Sequence, residues 1–270
     1  METLTTDKIM DAFNKMKDEK IKSMPIPGKP IISTISAKSF INRIDKKDVE
    51  IGELVDKLWE NKKMLDALKY KDKNHNYKEG KSFNNCCNII FKGMNIKMFS
   101  KGKLIIAGIK SEKDIIELIA KLESFLNEIL DYKVIVDKPD IIMINSNFNC
   151  GYNLDRGKLY KLIKNKINVV YGNMKYPAVK INFMYNTNQT NIGCCNCTDK
   201  IKCMNKKKNC NGDGDIDCKK IMISIFQTGS IIISGAKNMK QLNCAYEWIT
   251  QILKENYAEI LHISIADVKI

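Results

Sequence analysis

One short pattern occurs twice in this chain, and it limits the possible folds more than any other feature. Phe99-Ser-Lys-Gly102-Lys-Leu-Ile105-Ile106-Ala-Gly108-Ile-Lys110 aligns without a gap on Phe226-Gln-Thr-Gly229-Ser-Ile-Ile232-Ile233-Ser-Gly235-Ala-Lys237. The match runs on into amphipathic segments, where Ile115 pairs with Leu242, Ile119 with Tyr246, Leu122 with Ile249 and Leu126 with Leu253. Helical periodicity alone produces the second kind of agreement. It does not produce Phe, Gly, Ile-Ile, Gly and Lys in fixed order. The chain is therefore an α+β module used twice.

Each copy reads as strand, helix, two or three antiparallel strands, then a long helix. Strands joined by short turns pair with their neighbours. Two such copies are expected to form one curved antiparallel sheet with both long helices on one face. The other face is left open, and an open, partly apolar sheet face is a binding surface by default.

Patterning sets the boundaries. An amphipathic helix over residues 1–24, with Ile9, Ala12, Phe13 and Met16 on one side, is expected outside the main fold and ends before the Pro25–Pro30 cluster. The predicted organisation is an extension at 1–25, a first repeat at 26–135, a second at 136–262 with a cysteine-rich insertion at 187–219, and a tail at 263–270. Within the first repeat, 31–37 is predicted as strand, 48–70 as helix, 86–91, 95–99 and 103–107 as strands, and a helix begins at the N-cap Ser111. In the second, 141–144, 178–185, 220–226 and 230–234 are predicted as strands and 154–167 and 238–257 as helices. Gly102 and Gly229 mark turns, and Gly108 and Gly235 are expected to end their strands.

A formal net charge of +14 favours a polyanionic partner, although AT-rich coding by itself also enriches Lys, Ile and Asn. No apolar leader opens the chain, and no apolar run is long enough to span a membrane. An enzyme is not expected. The sequence contains no phosphate-binding Gly-rich loop, H-E-x-x-H or G-x-S-x-G, and its two His residues are His75 in a polar loop and His262 near the end.

The two Phe…Lys segments, with the opening strand Ile31-Ile-Ser-Thr-Ile35, resemble the TATA-box-binding protein family. The resemblance covers most of the chain. It implies a pseudo-twofold α+β saddle with the long helices on the convex face and the concave sheet on a widened, bent DNA minor groove. It implies a general transcription initiation factor, with aromatic wedges at Phe83 and Phe99 in the first half and at Tyr176, followed by Pro177, and Phe226 in the second. Ile32, Lys103, Asn145 and Ser234 would join the DNA face. The implied partners are AT-rich double-stranded promoter DNA, a transcription factor IIB-like protein and RNA polymerase, with the chain a monomer on DNA and no membrane involved. The compartment would be a nucleus, or a virion or cytoplasmic factory if the source is a large DNA virus.

The chain departs from the family pattern at defined positions. The family's central Asn falls at Pro30 in the first half and at Met143 in the second, with Asn145 two residues further along. The groove-facing Thr becomes Ala107 and Ser234. Minor-groove readout is already degenerate, so DNA binding is implied more firmly than TATA preference. The acidic residues that meet factor IIB are replaced by Gly172-Asn-Met-Lys175. A scaffold of the same fold that binds protein with weak or lost DNA affinity is the alternative.

Cys194, Cys197, Cys203, Cys210 and Cys218 crowd the insertion. Cys194 and Cys197, with Cys203 and either Cys210 or Cys218, have the number and type of ligands for tetrahedral structural zinc. A polar loop with free thiols fits the same residues.

Overall fold

The computed structural model describes residues 6–70, 86–172, 176–185, 193–194 and 219–264. Phe83, Cys197, Cys203, Cys210 and Cys218 lie outside the described residues. The chain forms two compact units, one joining the residues up to Ile31 with those from Asn145 onward, the other Ile32–Ile144. Among the described residues no helix is long and apolar enough to cross a membrane.

The chain opens on helix α1 (Thr6–Lys22). The Ile32–Ile144 unit then contains β1 (Ile31–Arg43), α2 (Ile51–Glu60), β2 (Ala67–Tyr70), β3 (Cys86–Phe91), β4 (Met94–Phe99), β5 (Lys103–Ile109), α3 (Glu112–Ile129) and the short β6 (Val134–Val136). Its strand order is β2-β3-β4-β5-β1, antiparallel throughout, with β6 on the far end of β1. Alternation explains the layers. Ile89 and Phe91 of β3, Ile96 and Met98 of β4, and Leu104 and Ile106 of β5 are buried on one face. The stripe Ile115, Ile119, Leu122 and Leu126 of α3 is buried as well, and the Phe91 ring stacks on Phe125 of α3 at 5.2 Å.

The second repeat follows the same order with β7 (Asp140–Asn149), α4 (Arg156–Ile163), β8 (Val169–Gly172), β9 (Tyr176–Tyr185), β10 (Lys219–Phe226), β11 (Ser230–Ala236), α5 (Met239–Glu255) and α6 (Tyr257–Ile260). Its strands run β7-β11-β10-β9-β8. Val179, Ile181, Phe183, Ile221, Ile223, Ile225, Ile231 and Ile233 form the helix-side layer, all essentially inaccessible. Leu242, Ile249 and Leu253 of α5 are fully buried too. The Trp248 ring lies on Phe183 at 5.4 Å.

Three expectations are corrected. The helix predicted over 48–70 stops at Glu60, because the Asn61 amide turns back to the Lys57 carbonyl, 2.9 Å away. Leu65 and Leu68 continue the helical spacing but belong to the turn and strand β2, which pairs with β3 from Ala67↔Ile90. The helix predicted over 154–167 spans only Arg156–Ile163: Asp155 caps it by accepting from the Lys158 N–H at 3.0 Å, and Leu154 forms an isolated bridge with Leu261. Gly108 and Gly235 do not end strands. Ile35 faces Ile109 while Ser36 faces Ala107, so Gly108 is the extra residue of a bulge inside β5, at φ +95°. Its N–H donates to Thr34 Oγ1 at 3.0 Å. Gly235, at φ +97°, takes the matching position in β11.

Both long helices start on a side-chain cap. Ser111 Oγ accepts from Asp114 N at 3.2 Å, and Asn238 Oδ1 accepts from Gln241 N at 2.9 Å. Ser111→Ala and Asn238→Ala are each expected to lower stability by about 1 kcal/mol. Urea unfolding midpoints read this, and unchanged midpoints would show that neither cap contributes.

Candidate nucleic-acid interface

Opposite the helices, each sheet has a second face of different composition. In the Ile32–Ile144 unit the cross-strand register builds it row by row. Asn88, Lys97, Ile105 and Lys38 form one row, and Ile90, Asn95, Ala107 and Ser36 form the next. At the margin Phe99 faces Cys86, and Phe40 faces Lys103. Phe99 is half-buried, and the ammonium of the exposed Lys103 sits 5.9 Å from its ring centroid. Ile32, half-buried, has the same strand parity as Ser36 and Lys38. Burial pushes the Cys86 thiol up, and the Lys97 charge opposes that.

The second repeat builds its own face. Lys180, Ser224 and Ile232 form one row, Asn182, Met222 and Ser234 the next, and Phe226 ends β10 opposite Ala178. The exposed Lys220 lies opposite Met184. Ser234 Oγ reaches the Met222 carbonyl at 3.5 Å. Asn145 sits on β7 between the buried Ile144 and Ser146, and so has the opposite parity. Tyr176 starts β9, its backbone paired with Gly172. Phe226 is half-buried and borders a depression that Arg156, Pro177, Gln227 and Ile232 help to line. Every face residue named above is apolar, neutral polar or Lys, and none is a carboxylate. At the edge of the first face, Lys38 Nζ lies 3.9 Å from the Asp140 carboxylate.

The two arginines are engaged elsewhere. The Arg43 guanidinium lies 3.6 Å from the Tyr132 ring centroid and is bonded to Asp45 at 2.7 and 2.9 Å, holding that carboxyl below the ordinary range. Arg156 donates to the Pro177 carbonyl and, at 3.3 Å, to Gln227 Oε1, bracing the strand end beside Phe226. The cations that the strand rows of both faces present are lysines, with Arg156 beside Phe226 at the edge of the second. Sequence reasoning named Lys103 but missed Lys97, Lys180, Asn88 and Asn182. Their signal was alternation with the buried Ile96, Met98, Val179 and Ile181, and it becomes readable only when the register is known.

Of the insertion, Gly193 and Cys194 are described. Gly193 bridges to Met184, and a Cβ there would lie 3.1 Å from the Trp248 ring. Cys194 is exposed, its Sγ 3.6 Å from the Lys166 carbonyl. Among the described residues no three His, Cys, Asp or Glu side chains are grouped to hold a metal ion. Cys87 and Cys150 are buried, and burial pushes the Cys87 thiol up to about 12.

Known proteins are similar to this chain in sequence and in fold. Residues 214–256 match the family described as Transcription factor TFIID (or TATA-binding protein, TBP). Over 185 residues, 62% of this chain, the sequence is 32% identical to a "TATA-box-binding protein-like" protein of Acanthamoeba polyphaga mimivirus, and the match spans 44% of that relative's length. The fold is similar to Methanococcus jannaschii TBP, with a TM-score of 0.53 and 14% identity over 84% of this chain and 99% of that one. The chain is thus similar in sequence to TATA-binding proteins over part of its length, and it shares the α+β fold of Methanococcus jannaschii TBP.

Proposed function

We propose that this chain is a DNA-binding transcription initiation factor that lays the open face of each repeat against the minor groove of AT-rich promoter DNA and bends it. One observation carries the reading: in both repeats the face opposite the helices combines lysines and apolar side chains with a half-buried Phe at a strand end, Phe99 and Phe226, and the described residues of the strand rows include no carboxylate. Lysines bring phosphate affinity that is independent of sequence. Apolar wedges that part a base step cost a few kcal/mol per step, which the larger contact of bent DNA offsets. Phe83 and Tyr176 would complete the two wedge pairs, with Ile32, Lys103, Asn145 and Ser234 on the DNA face. A factor IIB-like protein and RNA polymerase are the partners this reading assigns, in a nucleus or a viral factory. The chain acts without catalysis. In the insertion, zinc on Cys194, Cys197, Cys203 and Cys210 or Cys218 would order the loop.

The test is a salt titration of binding to short AT-rich and GC-rich duplexes. Binding whose logarithm falls linearly with the logarithm of salt, tighter on the AT-rich duplex, supports the reading. No binding to either duplex at low salt overturns it and leaves the protein-binding scaffold.

A further inference from the structure

Among the described α-helices only α4 lacks an acidic residue. Lys158, Lys161, Lys164 and, just beyond the helix, Lys166 are all exposed. None of them takes part in an ion pair among the described residues. The neighbouring Asp155 is occupied as the cap, accepting from the Lys158 N–H. A lysine-rich composition does not by itself make such a helix. Its counterpart in the first repeat, α2, sets Glu53, Asp56 and Glu60 against Lys57, and Lys57 is paired with Asp131 at 2.7 Å. Helix α3 mixes Glu117, Glu123 and Glu128 with Lys113 and Lys121. The helix dipole favours cations in a last turn, which accounts for Lys161 and Lys164. It opposes Lys158 in the first turn and does nothing for Lys166. Unpaired like charges one turn apart on a helix also repel, so this face is held at a small cost that an anion would remove.

We propose that the outer face of α4 docks an acidic segment of a protein partner, with an aromatic or apolar residue of that segment against the ring pair Tyr160–Tyr171. Leu159 and Ile163 are the buried side of α4. Lys158 and Lys161 point away from it. Residues 156, 160 and 164 follow at steps of four and share the flank beside β8. On that flank the Tyr160 and Tyr171 rings lie 5.8 Å apart, both half-buried. Arg156 is already tied to Pro177 and Gln227, which leaves the lysines for a partner. Tyrosine joins an apolar ring to a polar tip and suits an interface for that reason. Lysine is a compact charge on a flexible stem, so it answers to carboxylate density rather than to one fixed geometry. The open face is not the surface concerned. Tyr171 alternates with Val170, and Val170 pairs with Lys180 of that face, so Tyr171 and α4 occupy the other side of the sheet. A duplex on the open face leaves α4 uncovered, and the anion these lysines await is a protein carboxylate. The inference does not depend on the DNA-binding reading and stands if that reading fails.

The test is fluorescence anisotropy of the full chain with a labelled peptide of Glu and Asp that carries one central Phe. The wild type is expected to bind it, less tightly as salt is raised. Lys158→Glu/Lys161→Glu/Lys164→Glu should bind it about tenfold or more weaker, each exposed ion pair being worth a few-fold. Lys63→Glu/Lys121→Glu/Lys138→Glu changes the total charge equally at exposed positions of the first repeat and should bind the peptide nearly as the wild type does. Circular dichroism confirms that each variant is folded. A short AT-rich duplex is the second ligand, and the two variants should behave alike towards it. Equal loss of peptide binding in both variants reduces the effect to overall charge and overturns the proposal. So does peptide binding by the α4 variant as tight as by the wild type, or no binding by the wild type at low salt. Loss of the duplex by the α4 variant alone, with the peptide still bound, makes the lysines phosphate contacts and overturns it as well. A peptide with Ser in place of Phe that binds equally tightly removes Tyr160 and Tyr171 from the site and overturns that part.

Discussion

Replacing Phe99 and Phe226 together with alanine is expected to leave a protein that binds AT-rich DNA at low salt without bending it. Both rings are half-buried on faces that carry lysine, and neither belongs to the layer beneath the helices, which Met98, Ile225 and their neighbours fill. Their removal should therefore cost little folding stability. Phosphate attraction survives, because it comes from the lysines of both faces, Lys103 and Lys220 among them, and needs no wedge. What disappears is the apolar surface that would replace base stacking at a parted step. Parting a step costs a few kcal/mol, so without the rings the straight duplex becomes the favoured partner. The affinity gap between wild type and double variant should be about tenfold to a hundredfold. End-to-end energy transfer across a doubly labelled duplex measures the bend directly. Full bending by the double variant would mean that these rings only pack, and the wedge assignment would be withdrawn.

A larger loss of stability is expected from Gly102→Ala or Gly229→Ala. Both glycines have left-handed backbone angles, φ +74° and +78°. Left-handed geometry alone costs a non-glycine residue roughly 1–2 kcal/mol. The neighbours add more, since a Cβ at Gly102 would lie 2.1 Å from the Ile41 carbonyl oxygen, and one at Gly229 would lie 2.3 Å from that of Tyr152. Those atoms are backbone and cannot swing aside. Each substitution should destabilise by about 3–5 kcal/mol, a size reserved for strain at special backbone positions. For a chain of this length that lowers the melting temperature by roughly 10 °C. Gly93→Ala is the control. Its φ is +76°, but nothing lies within 4 Å of the added Cβ, so only the backbone term applies. Equal melting of the three variants would refute the close-approach account.

These glycines also show how far the sequence could be read. Their recurrence marked a turn in each repeat. Nothing in the order of residues revealed that the turn presses on the backbone of another segment, because that closeness is a tertiary fact. The long helices were legible, having strong periods and side-chain caps. The edge strands β2 and β8 were not. Leu65 and Leu68 continue the spacing of the helix before them, and Val169-Val170-Tyr171 is too short to declare itself. Phe99 and Phe226 were legible through the repeat, whereas Lys97 and Lys180 were not, because a row joins different strands and appears only once register is fixed. The bulge at Gly108 was hidden for the same reason, as pairing with another strand defines it.

The composition of the larger unit bears on how the protein is made. Tyr246 Oη donates to the Gly28 carbonyl at 3.0 Å, and Tyr257 Oη to that of Lys20 at 2.9 Å. The opening segment thus finds its partners more than two hundred positions downstream. The Ile32–Ile144 unit draws its contacts from one contiguous stretch and can close as soon as that stretch has left the ribosome. The segment that holds Lys20 and Gly28 must wait for residues 246–257, and so remains open to proteases and chaperones while the chain between them is made.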